Sequence, residues 1–243
     1  MTLDIRLLGP VHISRDEQPI SIRGYKAVAL LAYPLLTGKA QTRQHLIDLL
    51  FDGPADPRAS LRWILSELRQ AIGPEFIVAD RQQIGFNFDG DYWLDVTAFA
   101  AGQLALYRGD FLEGLNVRDA FGFEEWALIE RERLRMRYQN GLVEQLADYE
   151  ARGDDPAVVA TAHQLLRLDN LREEWVRVLM AAYARQGQRV AALAQYDLCC
   201  QALQQEMGSE PTAETIALAK QIRTGTLESV RPASPLSADI PIK

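Results

Sequence analysis

The second half of the chain repeats itself at an offset of 34 residues, and this constrains its fold more than any other feature. Tyr149 and Tyr183 stand 34 positions apart, as do Gly153 and Gly187, Leu142 and Val176, Ala157 and Ala191, and Ala160 and Ala194. A unit of this length cannot bury an apolar face alone, so neighbouring units must stack and share a core. The apolar spacing inside the repeat is helical, and helices are expected over residues 124–151, 156–168, 172–186, 189–207 and 212–223. Tyr149 and Tyr183 are expected at equivalent, largely buried positions, and Ala160 and Ala194 at equivalent close crossings where small side chains let paired helices approach.

This is the period of tetratricopeptide-like helix hairpins. The first 95 residues read differently. Short apolar stretches at 3–8, 11–14 and 19–22, separated by Gly9-Pro10 and by Arg15-Asp16-Glu17-Gln18, predict a small antiparallel sheet. A helix over 25–36 follows, with Pro34 in its last turn and Gly38 suited to cap its end. Thr42 is an N-cap for a short helix whose apolar side is Leu46, Leu49 and Leu50. A third helix spans 57–72: Asp56 caps it, Pro57 suits its first position, and Gly73-Pro74 stops it. Strands at 76–79 and 84–88, joined by Asp80-Arg81-Gln82-Gln83, make a hairpin with a polar tip. Sheet, three helices and terminal hairpin are the order of an OmpR-type winged helix. The expected architecture is therefore an α+β winged helix-turn-helix over 1–95 and an all-α tetratricopeptide-like repeat domain over 96–228. Residues 229–243 read as a flexible Pro/Ser-rich linker or tail.

The charge sets a condition on function. The chain of 243 residues carries 26 Lys+Arg against 33 Asp+Glu, a net of −7. Residues 1–96 hold 10 basic and 12 acidic residues, a net of −2, and the remainder holds 16 and 21, a net of −5. Neither part is a generic polyanion binder, so any DNA contact needs a local basic cluster with the acidity turned away. No apolar run reaches the ~20 residues of a membrane span, and the first residues lack a signal-peptide pattern. Cys199 and Cys200 are neighbours inside a helical pattern, which suits reduced thiols and a cytoplasmic location. His12, His45 and His163 are scattered, with no metal-ligand spacing, and His163 lies among apolar neighbours as a satisfied structural histidine. There is no Gly-rich phosphate loop and no G-x-S-x-G, so neither an enzyme nor a cofactor is expected.

The third helix carries the candidate chemistry. Leu61, Leu65, Leu68 and Ile72 form its core stripe, and Arg58, Arg62, Ser66, Arg69 and Gln70 lie opposite. In a winged helix this element enters the major groove. Arg62, at the middle, is the candidate base reader, since a guanidinium matches guanine O6 and N7 bidentately. Arg58 and Arg69, at the ends, are candidates for phosphate. The competing reading is a surface helix with solvated arginines. Lys39, Thr42 and Arg43 surround the start of the second helix, where backbone N–H groups and the helix dipole favour a phosphate, or where Thr42 serves only as a cap. Arg81 and Gln82 at the hairpin tip are candidates for the minor groove, or simply an exposed turn. Trp63 is expected to pack on the wing or sheet, and Trp126 and Trp175 in the core. The charged run 130–137 reads as a solvated helix face held by i,i+4 pairs.

In its order of features the chain resembles the antibiotic-regulatory (SARP-type) activators, which join an OmpR-type winged helix to a bacterial transcriptional activator domain. The stretches that carry the resemblance are Ile5-Arg6-Leu7-Leu8-Gly9-Pro10, the helix 59–72 with Leu68-Arg69, Gly85-Phe86 at the wing, Tyr107-Arg108-Gly109-Asp110-Phe111-Leu112, and Met207-Gly208-Ser209-Glu210-Pro211-Thr212. It implies binding to double-stranded promoter DNA, with a homodimer on DNA as one arrangement. It also implies activation through contact of the helical repeats with RNA polymerase or another protein. Larger members continue into an ATPase after a Pro-rich linker. Two alternatives stand beside activation: a protein-interaction scaffold with weak or no DNA binding, and a regulatory head for a downstream ATPase. Where the family often has a basic wing residue, this chain has Gln82, next to Arg81.

Overall fold

The computed structural model describes residues 2–53 and 56–226. The expected tail at 229–243 lies outside these residues. The chain divides into two units, residues 1–137 and 138–243. Among the described residues no helix is long and apolar enough to cross a membrane, and no cluster of His, Cys, Asp or Glu is arranged to hold a metal ion.

The first unit opens with β1 (Leu3–Arg6), β2 (His12–Arg15) and β3 (Gln18–Pro19), the expected antiparallel strands. β1 pairs with β2 in a register that sets Leu3 opposite Arg15 and Ile5 opposite Ile13. A fourth strand, β7 (Tyr92–Leu94), completes the sheet in the order β3-β2-β1-β7 and runs parallel to β1. β7 has no sequence signature, because three residues show no period and a parallel partner almost ninety positions away has no local signal. Helix α1 (Tyr25–Thr37) ends as expected at Gly38, whose N–H returns to the Pro34 carbonyl. β4 (Gln41–Thr42) leads directly into α2 (Arg43–Leu50). α3 (Pro57–Ile72) is capped by Asp56, whose carboxylate accepts from the N–H groups of Arg58 and Ala59. β5 (Ile77–Ala79) and β6 (Gln83–Phe86) form the hairpin, and β4 adds to it in the order β4-β6-β5. Gly85 is required there, since a Cβ at this position would stand 2.9 Å from the Cβ of Ala40.

Residues 95–120, for which the sequence suggested no element, hold to the first sheet through a buried acid. α4 (Asp95–Ala100) begins with Asp95, whose side chain is 1% exposed. Its carboxylate accepts from the N–H groups of Leu7 and Leu8 at 2.9 Å, and the Arg108 guanidinium stands 3.6 Å away. The chain turns away from β1 here because Gly9 adopts a φ of +97°, with Arg108 so close that a Cβ on Gly9 would lie 3.3 Å from it. Gly9 donates its N–H to Asp110, Leu112 donates to Leu7, and Glu113 donates to Gly9. The stretches 5–10 and 107–112 are thus partners of each other. The start of α5 (Phe121–Arg152) also serves this unit. Arg131 donates to the carbonyls of Phe111 and Leu115, and Arg137 to that of Ala100. The run 130–137 is therefore not simply a solvated face. Glu130 and Arg133 pair at i,i+3 rather than i,i+4, and two arginines hold backbone carbonyls between residues 100 and 115. Trp126 packs among Tyr33, Phe111 and Phe123.

The second unit contains the rest of α5 with α6 (Asp155–Leu168), α7 (Glu173–Arg185), α8 (Arg189–Met207) and α9 (Ala213–Thr224). The 34-residue period holds in the packing. One core gathers Leu142, Leu146, Val158, Ala162, Leu165, Trp175, Leu179 and Ala182, and the next gathers Val176, Met180, Ala192, Cys199 and Leu203 with Ala219 and Ile222. Tyr149 and Tyr183 occupy equivalent, half-buried positions. His163 is satisfied as expected by the Tyr183 hydroxyl at 2.9 Å, and burial together with Arg167 lowers its pKa. Cys199 and Cys200 are free thiols, and burial pushes the Cys199 thiol up to about 11.

The expectation for Ala160 and Ala194 is overturned: both are exposed. Each lies two residues from the inward face of its helix, roughly 200° around it, and the small residues that permit close packing are Ala162, Ala182 and Ala192 instead. Ala192→Leu should overpack the second core and cost about 1–3 kcal/mol, whereas Ala194→Leu should stay within about 0.5 kcal/mol of the parent. Urea unfolding of both variants checks the assignment, and equal effects would refute it.

Candidate nucleic-acid interface

α3 divides its residues between two faces. Leu61, Ile64, Leu65, Leu68 and Ile72 are buried, and Arg58, Arg62, Ser66 and Gln70 are exposed. Among the described residues none of those four side chains has a protein partner, so their donors stand free toward solvent. Arg69 departs from the expected phosphate role. As the i,i+4 neighbour of buried Leu65 it is half-buried, and its Nη2 donates to the Ile77 carbonyl at 3.4 Å. It ties the end of α3 to β5.

Trp63 also departs from expectation. It does not pack on the wing or sheet but is 56% exposed. At about 100° per residue the direction opposite the buried stripe runs through Ala59, Trp63, Ser66 and Gln70. Arg58 and Arg62 flank this ridge on one side and Glu67 on the other. An angular count on the sequence alone finds Trp63 there, whereas the general tendency of tryptophan to be covered points the other way.

The start of α2 is joined to the wing. Thr42 faces Gln83 in the β4–β6 register, and Arg43 donates its N–H to the Gln82 carbonyl at 2.8 Å. The Arg43 Nε donates to the Asp80 carbonyl at 2.9 Å. Thr42 is a true N-cap, its hydroxyl accepting from the His45 N–H at 3.1 Å. Two of the N–H groups expected to await a phosphate are therefore already used, and Arg43 braces the hairpin. Lys39 and Thr42 are exposed beside it, and Arg81 and Gln82 are exposed at the tip. The one acid of the tip, Asp80, accepts from the N–H groups of Gln83 and Gln82, and these bonds, with Arg43 nearby, hold its carboxyl below the usual carboxylate range.

Two links thus bind three elements into one platform: Arg69 joins α3 to the hairpin, and Arg43 joins the hairpin to α2. The platform presents an outward polar ridge, a basic flank and a tip whose one acid is engaged by its own backbone N–H groups. That meets the condition set by the net acidity, since the positive charge is local.

The family model of the bacterial transcriptional activator domain matches residues 91–223. The chain is 27% identical over 248 residues to the regulatory protein AfsR of Streptomyces griseus, a match covering 95% of this chain and 26% of that protein. The chain therefore spans about a quarter of that relative's length. Among solved structures it is similar to EmbR of Mycobacterium tuberculosis, there in complex with a low-affinity phosphopeptide, with a TM-score of 0.59 and 23% identity. That match covers 92% of this chain and 65% of the other, and the likeness is one of fold.

Proposed function

The chain belongs to the bacterial transcriptional activator domain family, of SARP type, and from this premise we propose that it is a cytoplasmic, sequence-specific DNA-binding activator of transcription. The single observation that carries the DNA reading is the exposed, unpartnered set Arg58, Arg62, Ser66 and Gln70 on a helix whose opposite face is fully spent on the core. Such a helix offers donors for base edges without cost to folding. Lys39 and Arg58 supply phosphate contacts, which position the protein without reading sequence. Arg81 and Gln82 reach toward the minor groove. DNA contact is assigned to residues 1–95. Contact with RNA polymerase or another protein is assigned to residues 96–228, with a homodimer on DNA as the arrangement for repeated sites. The exposed stripe Phe121 (78%), Leu128 (63%) and Ile129 (61%) on α5 supports a protein-binding role for that part.

The net charge of −7 favours a second reading, a scaffold that does not bind DNA. Selection of bound sequences from random duplexes separates the two. At low salt, where charge attraction is least screened, the full chain is expected to enrich one motif. Enrichment of none would leave the scaffold.

A further inference from the structure

We propose that Trp63 is a specificity residue that reads thymine, its indole packing in the major groove against the 5-methyl group. The inference rests on the DNA-binding reading and adds to it the chemistry of one contact. Of the four tryptophans, three are accounted for by the fold. Trp93 lies under the Arg6 guanidinium, Trp126 sits among three aromatic rings, and Trp175 is buried. Trp63 alone is exposed, at 56%. Of the four residues one turn away, Ala59, Ser60 and Ser66 are too short to cover an indole, and Glu67, the fourth, leaves the ring 56% exposed. Local sequence thus leaves the ring bare on the line of α3 farthest from the core.

The position selects the ligand chemistry. A side chain far down the flank of a recognition helix meets phosphate, and there Arg58 stands, while Arg62, nearer the ridge, keeps its reach to a base edge. A side chain on the outward ridge meets the floor of the groove, and that is where Trp63 stands beside Ser66 and Gln70. An indole brings a large apolar surface and one N–H donor. Among the base edges of the major groove the one apolar group is the thymine methyl. Glu67, on the other flank, opposes close approach of phosphate on that side, which further directs the ridge toward base edges.

The test replaces thymines of the selected duplex one at a time by deoxyuridine, which removes only the methyl group, and measures binding by the full chain, its Trp63→Ala and Trp63→Phe variants, and Arg62→Ala. One position is expected where the methyl matters to the parent. Trp63→Ala should bind the thymine duplex about tenfold more weakly, equivalent to ~1.4 kcal/mol, and should be indifferent to deoxyuridine there. Trp63→Phe should keep part of the preference, and Arg62→Ala should keep all of it. Since Trp63 is exposed, thermal melting of the variants should match the parent. Parental affinity in Trp63→Ala, or an undiminished response to deoxyuridine, overturns the proposal and leaves the ring as a protein contact. Failure of the parent to bind any duplex at low salt would instead overturn the DNA reading itself, and the proposal with it.

Discussion

Asp95→Ala is expected to destabilise the first unit by about 2–6 kcal/mol, because it leaves two buried backbone N–H groups without an acceptor at about 1–3 kcal/mol each. Those groups belong to Leu7 and Leu8, both 2.9 Å from the carboxylate. Arg108, the other partner, is partly exposed and can turn to water, so the loss lies mainly in the orphaned amides. Asp95→Asn should fall between parent and Ala, since one amide oxygen can still accept while the NH2 group faces a donor. Burial raises the Asp95 carboxyl above its ordinary range despite the N–H bonds and Arg108. The folded state then holds the proton more tightly than the unfolded one. The stability from this group is full below the ordinary carboxylate range and is lost as pH rises through the raised value. Relative to Asp95→Asn, the parent should gain stability on acidification through that window. Chemical denaturation across pH measures both effects, and a loss under 1 kcal/mol in Asp95→Ala would show that Asp95 does not hold residues 95–120 to the sheet.

Arg62→Glu is the variant expected to damage DNA binding most. Arg62→Ala should cost about 1–3 kcal/mol at one base pair and relax the preference there, as for a lost bidentate guanine contact. Glutamate adds repulsion from the duplex, and like-charge juxtaposition at an interface costs several kcal/mol. Lys39→Ala is the control. It is exposed beside the hairpin, so its loss should weaken all sequences alike and reduce the salt slope by about one phosphate's worth. Arg43 is unsuited to that comparison, because it also braces the wing through the Asp80 carbonyl. Fluorescence anisotropy against the selected duplex and a scrambled one, over a series of salt concentrations, distinguishes the cases. Equal responses to Arg62→Ala and Lys39→Ala on both duplexes would mark a sticky surface rather than a reader.

Most elements were legible because their causes are local. Asp56, Pro57 and Gly73 delimit α3, Thr42 caps α2, and Gly38 closes α1, each through a bond within a few residues. The 34-residue period came from the same source, since equivalent helices need equivalent buried positions. Ala160 and Ala194 obey the period yet lie outside the core stripe, because a repeat fixes equivalence between helices and not which face is buried. In the candidate site, exposure of Arg58, Arg62, Ser66, Gln70, Arg81 and Gln82 followed from the apolar stripe and the turn, whereas Arg69, Arg43 and Trp63 did not behave as expected. An arginine's long side chain can reach a carbonyl on another element, and only the fold says that Ile77 and Asp80 are within reach. By itself the sequence determined the helices other than α4, the hairpin, the repeat and the polar outer face of α3, all products of short-range periodicity and capping. Tertiary structure alone decided the parallel pairing of β7 with β1, the burial of Asp95 against Leu7 and Leu8, and the bracing of the wing by Arg43 and Arg69. Those contacts join residues from 8 to almost 90 positions apart, and no local pattern encodes which distant backbone group will meet a given side chain.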